Sequence, residues 1–291
     1  MVRAKAGVPG DNVGTYLISH ACNSGFVVFQ VNDPLGPSTT FTRSDVFVPV
    51  FYECDLQGAP QLGSTELIET NDSRVQTAIW VDNVLWITVV VREFASGEAA
   101  LLYFQFVANG LDPVFVLFFG VISGEDISAE TSVFCPSLDV NSNGIAAFGF
   151  TASSPTIFAG AYATVQNLDF MIEPSEAVKV GEGPYFVTGA DRRNFWGFKS
   201  GMSVDPTDDN CFWAFNQYAR DDTCFEVGSS ILASDENVSS PHLEPFQPDM
   251  QSLEHERAVD GTEHFAEGDV RRLQTLVGCW GTAWAHICAP P

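Results

Sequence analysis

Basic residues are scarce in this chain: 13 Lys and Arg stand against 37 Asp and Glu over 291 residues, a formal charge of −24. A surface of that sign repels phosphate backbones, which excludes nucleic acid as a natural partner and favours cations or a basic protein face. Long hydrophobic runs are missing as well. The densest, Val114–Ile122, has strand length and falls short of the ~18–20 residues that a spanning helix needs, so no membrane insertion is expected. The opening MVRAKAGVPGDNVGTYLISH lacks the apolar core of a secretion signal, so either the protein is intracellular or its native beginning lies upstream. The seven cysteines show no CxxC spacing, and His20, His242, His255, His264 and His286 show neither HxH nor HxxxH, which argues against zinc and a redox pair. Amphipathic helical periodicity is also lacking.

What is abundant is strand chemistry. The chain holds 24 Phe, many of them in short Val/Ile/Phe runs such as Phe26–Val31, Val46–Tyr52, Val114–Val121 and Phe148–Phe150. Aromatic and β-branched side chains suit a pleated, half-buried surface. The runs fall into four groups. The first is Thr15–Ser19, Gly25–Val31 and Val46–Tyr52; the second is Arg74–Trp80, Leu85–Val91 and Ala100–Val107. The third is Val114–Val121, Pro136–Val140, Ile145–Ala152 and Ala159–Val165; the fourth is Ala177–Val180, Pro184–Val187, Gly201–Val204 and Cys211–Tyr218. Val81-Asp82-Asn83-Val84 and Asn143-Gly144 carry hairpin-turn chemistry. Groups of three or four strands recurring at ~40–55 residues give the rhythm of β-propeller blades. The fold class expected is therefore all-β, a propeller of about four to five blades that need not close a ring, with a two-layer sandwich as the alternative.

The organisation read from the sequence is an N-terminal tail over 1–12, blades over 13–218, an acidic flexible insertion over 219–275, and a closing strand with its tail over 276–291. The insertion holds 13 of the 37 acids and four arginines, and its SDENVSSPHLEPFQPDMQSLEHE run has too little periodic apolar surface to offset chain ordering. A short helix around Ser252–Val259 is the most regular structure it admits. Cys211 with Cys224, and Cys279 with Cys288, flank local strand ends and allow two disulfides; buried reduced thiols are the competing reading. Seven is odd, so one thiol stays unpaired within the chain. Asn71-Asp72-Ser73 and Asn237-Val238-Ser239 are glycosylation sequons.

Several short motifs occur in a telling order: Asn71–Gln76 leading to Leu85-Trp86, then Pro136–Asn141 with Gly144 and Phe148-Gly149-Phe150, then Trp196-Gly197, Ser200-Gly201, Asp205-Pro206, Phe212-Trp213, Tyr218-Ala219 and Trp280-Gly281-Thr282. From roughly Thr15 to Ile287, the insertion aside, the chain resembles the later blades of a family of large secreted sialidase-like (BNR-like) β-propeller proteins of bacteria and algae. The resemblance implies an extracellular or cell-surface protein that covers the C-terminal half to two thirds of a propeller. The chain departs from the pattern at two places. Phe198 stands where the family has an acidic residue after Trp-Gly, and Gln217 stands where it has Glu, so two carboxylates available for cation binding or acid–base work are gone.

Sialidase chemistry needs three arginines converging on a carboxylate and a tyrosine nucleophile. Arg74, Arg92, Arg192 and Arg193 lie outside any such context, and no catalytic residue is assigned. Asp139, Asn141 and Asn143 before Gly144 reproduce the first half of a calcium loop, but Phe150 stands where the closing glutamate belongs, so an Asx-rich hairpin competes with a calcium site. Calcium is the one cofactor the spacing admits. Asp205, Asp208 and Asp209 around Pro206 form a second oxygen-rich turn, and with Asp72 and Arg74 they are the candidate binding residues. Ser19, His20 and Cys22 do not form a catalytic pair, because neighbours on a strand face opposite ways. Trp80, Trp86, Trp196, Trp213, Trp280 and Trp284 are read as blade core rather than sugar platforms. The function expected is a non-catalytic surface propeller binding a protein or glycan partner. The alternatives are a polysaccharide-acting glycoside hydrolase using Asp72 and Asp205, or a structural subunit of a larger assembly.

Overall fold

The computed structural model describes residues 3–6, 13–22, 25–50, 52–110, 113–186, 194–198, 200–221 and 280–289. Met1–Thr223 and Cys279–Pro291 form one compact unit; the second, Cys224–Gly278, lies outside the described residues, and with it the helix read around Ser252–Val259 and the sequon at Asn237. Every regular element described is a strand, as the composition demands, and no helix is long and apolar enough to cross a membrane.

The strands form four main sheets. Sheet I joins β2 (Val13–His20), β3 (Phe26–Asn32) and β4 (Thr40–Val46) in an antiparallel meander. Sheet II is built on the meander β8 (Thr77–Val81), β9 (Val84–Glu93), β10 (Ala99–Val107) and β11 (Phe115–Ile122). Two short strands extend it: β1 (Arg3–Ala6) pairs parallel with β8, and β5 (Tyr52–Glu53) pairs with one end of β9. Strand β1 thus lies inside the stretch read as an N-terminal tail. The separate hairpin β6 (Ala59–Gln61) and β7 (Ser64–Ile68) follows β5 in the chain. Sheet III runs β12 (Ser132–Val140), β13 (Ala146–Ser154), β14 (Ile157–Gln166) and β15 (Glu176–Lys179). Sheet IV joins β16 (Gly201–Val204), β17 (Cys211–Ala219) and β18 (Trp280–Cys288).

The turn chemistry is where the sequence put it. Asp82 and Asn83 both take the left-handed conformation, with φ of 44° and 71°, as the two-residue hairpin between β8 and β9 requires. The grouping slips by one strand. The segment read as Val114–Val121 of the third group is β11, which pairs along β10, and that read as Ala177–Val180 of the fourth is β15, which closes sheet III. Each is the last strand of a meander, drawn to its predecessor by the antiparallel ladder. The third strand of sheet I also lies earlier than read: Thr40–Val46 pairs with β3, while Val48 and Val50 serve only as core.

Each sheet packs on the next in chain order. Tyr16, Phe26, Val28 and Val46 of sheet I meet Leu85, Ile87, Val89, Phe104 and Phe106 of sheet II. The other face of sheet II, with Trp86, Leu101 and Tyr103, meets Val133, Leu138, Phe148 and Phe150 of sheet III. Ala147 and Val165, on the far side of sheet III, meet Met202, Phe212 and Ala214 of sheet IV. Sheet III is buried on both faces, which explains why β13 and β14 read AAFGFTASS and IFAGAYATVQ: bulk points to sheet II, and alanine or glycine lets sheet IV come close. At Gly149 an added Cβ would lie 2.9 Å from Ser137 Oγ and 3.2 Å from Met202 Cε.

The disulfides correct the local pairings. Cys22 joins Cys54, and Cys211 joins Cys288, its directly opposed residue across β17 and β18 with a Cα separation of 4.0 Å. Cys135 is a buried free cysteine whose thiol burial pushes up to about 12. Cys224 and Cys279, the partners expected for Cys211 and Cys288, lie outside the described residues. Sequence proximity suggested pairs along the chain, whereas the ladder brings the two ends of sheet IV together across 77 residues.

Candidate functional site

The two oxygen-rich turns, the candidate cation sites of the sequence, meet each other. Asn141 Nδ2 donates to the Asp209 carbonyl at 2.8 Å, and the Ser142 amide and hydroxyl donate to the Asp209 carboxylate at 3.1 and 2.6 Å. Asp139, fully buried, accepts from the Val204 amide at 3.0 Å and from the Val140 amide at 2.9 Å. Asn141 Oδ1 accepts from the amides of Asn143 and Ile145 at 3.0 and 2.9 Å, an Asx turn. Asp208 caps its own turn through the Asn210 amide at 3.1 Å. The network stitches the β12–β13 turn to the β16–β17 turn, and neighbouring amides occupy part of the acceptor capacity of Asp139, Asn141 and Asp209. Asp72 and Arg74 form an exposed ion pair at 2.7 Å between β7 and β8, and the guanidinium holds the Asp72 carboxyl below the usual carboxylate range.

Asp205 belongs to a different arrangement. Its Oδ1 accepts from the Thr207 amide and hydroxyl, each at 2.7 Å; its Oδ2 accepts from Trp213 Nε1 at 2.9 Å and His286 Nε2 at 2.8 Å. These donors, Thr207 first, hold its carboxyl far below the ordinary aspartate range. A carboxylate offers no proton, so His286 Nε2 must carry the hydrogen. The pair fixes Trp213 and His286 against each other, ring centroids 4.6 Å apart.

That pair is one rung of an aromatic face on sheet IV. Register sets Trp213 opposite His286, Phe215 opposite Trp284 and Ala219 opposite Trp280. Phe215 and Trp284 pack with centroids 4.5 Å apart. Trp213 is 44% exposed, Trp280 46% and Trp284 68%. Strand alternation sends Phe212, Ala214 and Ile287 inward to sheet III, and Gly281, between Trp280 and Thr282, has no side chain because the Tyr218 ring would lie 2.7 Å from its Cβ. Three of the six tryptophans read as core, Trp80, Trp86 and Trp196, are buried; the other three line this face. The sequence does hold the signal that finds it: from Trp280 to Cys288, aromatic or polar residues alternate with Gly, Ala and Ile, a strand covered on one side only.

His286 also lies with Cys211 and Cys288, their ligand atoms within 4.8 Å of one another, but the two sulfurs are bonded to each other and supply no thiolate. His20, at the opposite end of the stack, is structural. It stacks on Phe26 at 4.8 Å; its Nδ1 donates to the Ser73 carbonyl at 2.5 Å, and its Nε2 meets the Tyr52 hydroxyl at 2.7 Å. A carbonyl only accepts, so the neutral Nδ1–H tautomer is held, and burial lowers the His20 pKa from its ordinary value. The unfolded chain therefore binds the proton first as pH falls, and this stability contribution is present above the ordinary histidine pKa and lost below it. Thermal midpoints followed by near-UV circular dichroism should drop by a few degrees between about pH 7 and pH 5, and His20→Gln should flatten that drop.

The fold and the site define an all-β protein of successive face-packed sheets with an aromatic face at one end that no other described residue covers. Comparison with known proteins finds no matching family model and no matching curated sequence.

Proposed function

We propose that this chain is a non-catalytic binding module of β-propeller type, acting outside the cell or at its surface, with the aromatic face of sheet IV as its ligand surface. The exposed aromatic face carries the reading: an acidic protein keeps Trp213, Trp280 and Trp284 partly in solvent on two strands joined by a disulfide. The propeller architecture is supported by the sheets packing in chain order, each built on a meander of three or four strands to which sheet II adds β1 and β5, and by the motif order that resembles sialidase-like propellers. Two disulfides fit an oxidising location. Against hydrolysis stands the fate of the two carboxylates best suited to it: Asp72 is tied to Arg74, and Asp205 is held fully ionised by four donors and has no proton to give a leaving group.

The test is a hydrolysis assay over neutral and acidic polysaccharides with reducing ends as readout. The wild-type protein is expected to release none. Release that disappears in Asp72→Asn or Asp205→Asn would replace this reading with the glycoside hydrolase.

A further inference from the structure

The aromatic face also constrains what it binds. We propose that its ligand is a neutral pyranose oligosaccharide laid along β18, across Trp280, Trp284 and the Trp213–His286 pair; this rests on the binding-module reading above.

The composition of the face separates a glycan from a protein partner. Apart from buried Ala219 and the Cys211–Cys288 disulfide, its apolar members are aromatic: Trp213, Phe215, Trp280 and Trp284. The aliphatic side chains of the same strands, Ala214, Ile287 and Ala289, face sheet III. Protein interfaces also use tryptophan, but they set arginine beside it at the anchors, and β16, β17 and β18 hold no arginine; a sugar ring asks only for flat aromatic planes flanked by hydrogen-bonding groups. The axial C–H groups of a pyranose carry a slight positive polarisation and sit over the electron-rich face of an indole, the same electrostatics that orders aromatic pairs. Ser203, Thr282 and His286, all on this side of the sheet, supply hydroxyl and imidazole partners for ring hydroxyls. Because His286 Nε2 is bound to Asp205, its Nδ1 is left to accept from a sugar hydroxyl.

Length and charge narrow the choice further. Trp280 and Trp284 are four residues apart on one face of a strand, ~13 Å at a rise of ~3.3 Å per residue, a row suited to several consecutive sugars rather than to one. Among the described residues, no lysine or arginine lies on this face of β16, β17 or β18, and Asp205 sits beneath the Trp213–His286 pair. A formal charge of −24 adds repulsion for sulfated or uronic polymers. The occupant is therefore uncharged.

The experiment titrates the full-length disulfide-bonded protein with hexasaccharides of β-1,4-linked glucose and mannose, following tryptophan fluorescence and calorimetry, with a sulfated polysaccharide as the anionic comparison. At least one neutral hexasaccharide should bind and shift the emission; Trp284→Ala should weaken binding tenfold or more, Trp284→Phe should retain much of it, and the sulfated polymer should not bind. Unchanged circular dichroism of Trp284→Ala keeps loss of fold apart from loss of ligand, and Trp213→Ala gives a second reading if Trp284→Ala does not fold. Neither hexasaccharide binding, or binding indifferent to both tryptophans, overturns the proposal. A basic protein or a sulfated polymer that binds through Trp213 and Trp284 while both hexasaccharides fail would overturn the neutral-glycan ligand and leave the binding module standing.

Discussion

Removal of the Cys211–Cys288 link by Cys211→Ala with Cys288→Ala is expected to destabilise the protein by about 4 kcal/mol, lowering the thermal midpoint by roughly 8–15 °C for a domain of this size. The bond closes a loop over a sequence separation of 77, and loop-closure entropy in the unfolded chain grows with that length. The effect should be local as well as global. Among the described residues β18 pairs with β17 alone, and the bond pins the end of that ladder where Cys288 faces Cys211. Without it, Trp284 loses its fixed place beside Phe215, and His286 its place beside Trp213. Differential scanning calorimetry measures the first consequence; tryptophan emission, red-shifted as the strand frays, measures the second. An unchanged midpoint would mean that the ladder alone holds β18.

The other large loss is expected at Trp80. It is fully buried between sheets I and II, and Trp80→Ala should cost about 3–5 kcal/mol through lost transfer energy and a cavity that the facing sheets cannot close. Its indole also donates to the Ala108 carbonyl at 2.7 Å, while the Tyr16 hydroxyl donates to the same carbonyl at 3.0 Å. Two donors on one acceptor make a coupled pair. The costs of Trp80→Phe and Tyr16→Phe should sum to less than the cost of the double variant, since only the double variant leaves the carbonyl with no side-chain donor. Urea denaturation of the four proteins completes the cycle, and simple additivity would show that the shared acceptor does not matter.

Much of this architecture is legible in the residues. Phe, Val and Ile runs divided by Asp82-Asn83 and Asn143-Gly144 name strands and hairpins because side-chain shape and turn geometry are local properties. Membership of a sheet is not local. Phe115–Ile122 looks the same whether it ends one sheet or begins the next, and the choice is made by the β10 ladder it joins. The disulfides fail for the same reason: nothing near Cys211 points to Cys288 until β17 and β18 are paired. At the candidate site, the Asx residues around Asp139 and Asp205 mark turns, but the contacts that join those turns are not local. Whether an Asx oxygen faces a cation or an amide depends on what the neighbouring loop brings, and here each loop brings amides to the other. The exposed tryptophans escaped notice because Trp80 and Trp284 are chemically alike, and only the number of faces covered tells them apart.

The order in which sheet IV is put together has a consequence for biosynthesis. Strands β16 and β17 leave the ribosome about sixty residues ahead of β18, and until then the outer edge of β17 stays unpaired, a template for any extended segment that passes. Cys211 is made long before Cys288, and Cys224 and Cys279 both emerge in the interval, so a premature crosslink has two chances to form. A thiol–disulfide isomerase present during refolding should therefore raise the yield of the Cys211–Cys288 form.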